Sequence, residues 1–137
     1  MWRILLTTLL LAGCAQLPPT PQDIQAKTFT SVPDRAVIYV VRTPMDSFEA
    51  SGLSLGDSAQ ITTLPGTYYR WEVTPGMHQV TGFASANESV TLTTAPGRIY
   101  FLEHTVRGTR RSGVQSTSLR QIDERNGRAM VMQSQLL

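Results

Sequence analysis

Three Pro-Gly pairs, Pro65-Gly66, Pro75-Gly76 and Pro96-Gly97, punctuate the middle of this chain. Proline presets φ for the second position of a turn and glycine accepts the positive φ required at the third, so each pair marks a chain reversal. Between the pairs the residues alternate. Tyr69, Trp71 and Val73 fall on one face of an extended segment, and Tyr68, Arg70 and Glu72 on the other, the period of two that marks a half-buried strand. Val80, Gly82 and Ala84, then Val90 and Leu92, continue the pattern. Val37 to Val41 and Ile99 to Leu102 are apolar on both faces, which predicts central strands. Weaker strands are expected at Leu53 to Leu55, Gln60 to Leu64 and Thr117 to Ile122. Many short strands separated by turn signals predict a mainly β fold, an antiparallel sandwich or barrel.

The last residues read two ways. Asn126-Gly127 is a strong hairpin signal, yet Ile122, Asn126, Ala129, Met130, Gln133 and Leu137 recur at helical spacing behind Asp123 and Glu124, which favour a helix N-terminus. A short C-terminal helix is the preferred expectation, at a cost of about 1 kcal/mol for Gly127 relative to alanine.

Cys14 is the only cysteine, so no disulfide supports the core. Ahead of it stand Arg3, an apolar run from Ile4 to Leu11, and the small residues Ala12 and Gly13, the layout of a secretory signal too short to span a bilayer. Leu11-Ala12-Gly13-Cys14 resembles the lipobox of bacterial lipoproteins. That resemblance implies removal of the leader, lipidation of Cys14 with palmitate-type chains, and a membrane anchor of two or more acyl chains, which is essentially permanent. Ala15 stands where aspartate would signal inner-membrane retention, so the class implies an outer-membrane anchor with the domain facing the periplasm. The expected organisation is residues 1–13 as signal peptide, 14–34 as acylated cysteine and extended tether rich in proline, and 35–137 as the β-sandwich domain.

The order of features in the domain resembles a family of small bacterial envelope lipoproteins, a domain of unknown function. Its members share a Tyr-x-x-Arg first strand, here Tyr39 to Arg42; a Pro-Gly-x-His turn, here Pro75 to His78; and a Gly-x-x-Tyr strand, here Gly97 to Tyr100. Ile122-Asp123-Glu124 then leads into the tail. The family is similar to small Ig-like or prealbumin-like sandwiches. The chain departs from it at Leu55-Gly56-Asp57, where members more often carry an Asp-Gly turn. The resemblance implies neither a reaction nor a ligand.

His78 and His104 are the only histidines. With Cys14 acylated, only Glu72 or Glu103 would complete a metal set, so no metal and no cofactor are expected. His78 reads as a hydrogen-bonded structural residue. Arg42 ends an otherwise apolar strand; its guanidinium suits either an anion in a pocket or an ion pair with Asp46, Glu49 or Asp57, and the ion pair is favoured. Arg107, Arg110 and Arg111 form a basic loop suited to lipid phosphates, lipopolysaccharide or an acidic protein, or else a solvated hairpin tip. Tyr68, beside Arg70, is a candidate partner contact. No nucleophile elbow or phosphate loop occurs, and net charge is only +2. Nucleic acid is not expected as a partner of an exported chain. The expected function is therefore a non-enzymatic envelope module, an adaptor or structural element. The alternatives are a module binding an anionic small ligand or lipid, and an inhibitor of a cell-wall lytic enzyme.

Overall fold

The computed structural model describes residues 17–137. Nine strands and two short helices follow in the order α1 (Pro21–Ala26), β1 (Ala36–Arg42), β2 (Ser51–Leu55), β3 (Ala59–Thr63), β4 (Thr67–Val73), β5 (Gly76–Gly82), β6 (Glu88–Thr94), β7 (Ile99–Arg107), β8 (Ser116–Ile122), α2 (Glu124–Met132) and β9 (Gln135–Leu136). They build a sandwich of two sheets, one of order β8-β7-β1-β4-β9 and one of order β3-β2-β5-β6.

All three Pro-Gly pairs lie where the chain passes from one sheet to the other: between β3 and β4, β4 and β5, and β6 and β7. Gly66 and Gly97 hold φ of 70° and 72°, the left-handed region that their turns demand. Hairpins within a sheet are closed by other residues, Gly56 to Ser58 among them, with Leu55 paired to Ala59. β1 and β7, brought side by side, are parallel, as are β4 and β9 across the intervening α2, while the remaining ladders are antiparallel. The expected mainly β sandwich is found, with those two ladders as its parallel exceptions.

β1 is buried along its whole length because both its faces are covered. Ala36, Ile38 and Val40 face the second sheet and pack with Leu53, Leu55, Trp71, Val80 and Leu102. Val37, Tyr39 and Val41 face outward into a second cluster with Tyr68, Phe101, Ala26 and Val131, so the two helices form a third layer. The C-terminal expectation holds as a helix: Asp123 caps α2 by accepting a hydrogen bond from the Asn126 amide at 3.0 Å, and Asn126-Gly127 lie inside it.

The expected extended tether over residues 14–34 is corrected for its second half. Pro21–Ala26 is helical, capped by Thr20, whose hydroxyl accepts from the Asp23 amide at 3.1 Å. Phe29 and Val32 pack onto the outward aromatic cluster. Polar composition hid this because only a few side chains, Ala26, Phe29 and Val32, make the contact. Cys14 and the signal segment lie outside the described residues.

Candidate functional site

Strand direction brings the C-terminal ends of β1 and β7 together, and with them the loops after each, residues 43–50 and 108–115. The inward face here carries Arg42 and His104 in place of aliphatic side chains, and both are fully buried. Arg42 Nε donates to the Asp46 carboxylate at 3.1 Å, Nη1 to the Thr63 carbonyl at 2.9 Å, and Nη2 to the Ser47 carbonyl at 2.6 Å. Asp46 also accepts from the Val106 amide at 2.8 Å, and its side chain is 2% exposed. Arg42 is therefore corrected as a ligand contact: it makes the ion pair with Asp46 and orders the loop that follows it.

His104 completes this polar plug. Thr63 Oγ1 donates its only proton to the Ser51 carbonyl at 3.1 Å. At its 3.2 Å contact with Thr63 Oγ1, Nδ1 must then be the donor, which leaves Nε2 to accept from the Thr117 hydroxyl at 2.8 Å. Burial first, and then the neighbouring Arg42 charge, push the imidazole down to about 4, so it is neutral at physiological pH. His78 lies at the opposite end of the sandwich, where its Nε2 meets the Thr74 carbonyl at 2.6 Å and its ring meets Trp71 edge-on, a structural role as expected. Among the described residues, no three His, Cys, Asp or Glu side chains gather into a metal-holding group.

Tyr68 is also corrected as a partner contact. Alternation placed it on the outward face properly, but the helical layer covers that face. Its hydroxyl donates to Asp23 Oδ1 at 2.6 Å, and Asp23 also takes Lys27 Nζ at 3.0 Å and the Leu136 amide at 3.3 Å. Burial alone would raise the Asp23 carboxyl; the Tyr68 and Lys27 hydrogen bonds outweigh it and hold the group below its ordinary value. Burial and the Asp23 carboxylate drive the Tyr68 phenol well up. Asp23 thus fastens α1 to both β4 and β9, a role that sequence reading missed. Its signal was the Thr20-Pro21 helix start three residues upstream.

The basic loop remains accessible. Arg107, Arg110 and Arg111 are exposed and take part in no ion pair among the described residues. The loop is held by Glu49, whose carboxylate accepts from the Arg110 backbone amide at 2.9 Å and from the Gln115 side-chain Nε2 at 3.3 Å. Of the acids at this end Asp46 is paired with Arg42, while Glu49 takes the Arg110 amide and Glu88 the Leu119 amide, and none forms an ion pair with the three exposed guanidinium groups. Arg42 ties the first of these loops to the core, and Glu49 ties the two loops together. Sequence reading found the arginines and missed their companions: Met45 and Phe48, exposed at 92% and 93% beside them.

A second feature is a groove of about 670 Å³ beside α1, lined by Gln22, Gln25, Tyr69, Arg70 and Leu137. It follows the part of β4 that lies beyond the two-residue β9 ladder and has no strand neighbour on that side. Comparison with protein-family models and with curated proteins finds no match to this chain.

Proposed function

We propose that this chain is a lipid-anchored lipoprotein of the bacterial envelope, held at the periplasmic side of the outer membrane, whose domain works by binding or scaffolding and not by catalysis. The observation that carries the reading is the lipobox at Leu11 to Cys14, set only a few residues ahead of a folded domain that begins at Pro21. The order of the Tyr39-to-Arg42, Pro75-to-His78 and Gly97-to-Tyr100 motifs supports membership of the small envelope lipoproteins that it resembles. The non-catalytic reading draws on the employment of the reactive side chains. Both histidines and the buried Arg42, Asp46 and Asp23 are each engaged by structural partners, which leaves the basic end and the groove beside α1 as binding surfaces.

The test is the mass of the N-terminal peptide of the full chain purified from bacterial membranes. A leader cut before Cys14 and a diacylglyceryl-modified, N-acylated cysteine are expected, and Cys14→Ser should abolish the modification and release the protein from the membrane fraction. An unmodified Cys14, or cleavage elsewhere, overturns the anchor. Turnover of an envelope substrate by the purified chain overturns the non-catalytic part. Photocrosslinking from Gln25 in the groove, followed by mass spectrometry, should yield one discrete protein adduct if the domain is an adaptor.

A further inference from the structure

The exposed apolar side chains are unevenly distributed. Leu17, Met45, Phe48, Leu64, Phe83 and Val114 lie at the end where β1 and β7 finish, Ile24, Met132 and Leu137 lie along the helical layer, and Met77, 74% exposed, stands at the other end. Phe48 at 93% and Met45 at 92% are almost wholly in water, on a loop that Arg42 and Asp46 hold from beneath. A loop tied down at Asp46 and Ser47 that keeps an aromatic and a thioether in water forgoes burial that a small domain needs, which marks a contact surface.

Guanidinium groups cluster at the same end. Arg107, Arg110 and Arg111 are exposed there, Asp46 is paired with Arg42, and Glu49 and Glu88 each accept from a backbone amide. At the opposite end the acids Asp34, Asp57, Asp123 and Glu124 are matched by Arg35, Arg98, Arg125 and Arg128. Apolar side chains flanked by unpaired guanidinium groups match a phospholipid surface, where the former enter the acyl boundary and the latter meet phosphates.

The course of the chain names the same end. Leu17 and Pro18 lie beside Gln133 and Gln135. The Gln135 amide donates to the Gly66 carbonyl at 2.9 Å, and Gly66 abuts Pro44, next to Met45. Cys14 is three residues before Leu17, a reach of at most about 11 Å. An acyl anchor there would draw this end, and not the opposite one, onto the bilayer.

We infer that the end of the sandwich bearing loops 43–50 and 108–115 is seated on the phospholipid surface that holds the anchor, with Met45, Phe48 and Val114 entering the interface and Arg107, Arg110 and Arg111 on anionic headgroups. The inference rests on the anchor reading, and it orients the domain so that the groove beside α1 stays open to the periplasm.

The test uses the full lipidated chain, its acylation verified by mass, in vesicles of phosphatidylethanolamine and phosphatidylglycerol. Phe48→Cys and Met77→Cys variants carry an environment-sensitive dye, since the acylated Cys14 does not react. Brominated lipid should quench the dye at 48 at least about twofold more than the dye at 77. Replacing phosphatidylglycerol by phosphatidylcholine, or combining R107Q, R110Q and R111Q, should reduce that difference. Equal quenching at the two positions in a correctly acylated protein overturns the seating and leaves the anchor standing, as does protection of position 48 by a co-purifying protein. A mass without acyl groups overturns the anchor and the seating together.

Discussion

Arg42, Asp46 and His104 show how a few buried polar side chains set the behaviour of an exposed loop. The ion pair is dry, so its value lies in completeness: Arg42 has partners at Nε and at both terminal nitrogens, and Asp46 serves a backbone amide as well. Removing one member strands the other. Asp46→Ala should cost about 3–5 kcal/mol in urea unfolding, whereas Arg42→Met with Asp46→Leu should cost clearly less than either single change suggests. His104 adds a pH dependence. Its imidazole has an ordinary value of 6.5 in the unfolded chain and about 4 when folded, so between those values the unfolded state binds a proton that the native state refuses. Stability is full above about pH 7 and falls as pH drops toward 4, by about 2 kcal/mol on going from pH 7.5 to 5. Urea midpoints across that range check it, and His104→Gln should flatten the slope. Arg42 was legible as an ion pair from the acids that follow it. Thr63 and Thr117, the partners of His104, were not, because Thr63 comes from the other sheet and Thr117 from across the β7–β8 hairpin, and nothing local to His104 names either.

At the scale of elements, α2 and α1 meet the outward face of the five-stranded sheet by different means. Gly127 lies inside α2 at a position where a Cβ would stand 2.2–2.5 Å from Phe101 side-chain atoms. The glycine that weakens the helix is what lets the helix approach the sheet. Gly127→Ala should therefore destabilise by about 1–3 kcal/mol despite its better helix propensity, and Phe101→Ala, which removes the Cγ and Cδ1 that the new methyl would meet, should make the two losses less than additive in the double variant. Thermal unfolding of the four proteins of that cycle checks it. α1 is held instead by polar contacts: Tyr68 and Lys27 on Asp23, and the Tyr39 hydroxyl donating to the Ala26 carbonyl at 2.6 Å. Tyr68→Phe leaves the buried Asp23 short of a donor and should cost about 1–3 kcal/mol, read from denaturant midpoints.

The whole molecule is a sandwich with a third, helical layer on one side and a basic, apolar-studded end. Removing residues 17–34 should uncover Tyr39, Tyr68 and Phe101, lower the unfolding midpoint and raise binding of a hydrophobic dye, since these rings pack against one another and against Phe29. The sequence by itself determined what short-range physics controls. Turn chemistry placed the Pro-Gly reversals, a period of two placed the strands and named their two faces, the run Val37 to Val41 named the central strand, and Asp123 named the start of α2. Only tertiary structure decided what lies against each face. Alternation put Tyr68 and Arg70 opposite Trp71, but a segment some 45 residues away buries Tyr68 beneath α1. Nor does a Pro-Gly pair say whether the chain turns within a sheet or leaves it; that depends on how two sheets share one core. The parallel β1–β7 ladder brings loops 43–50 and 108–115 side by side, where Phe48 and Arg110 become neighbours of one surface. Sequence separation hides such pairs because nothing local to either residue carries the energy that joins them.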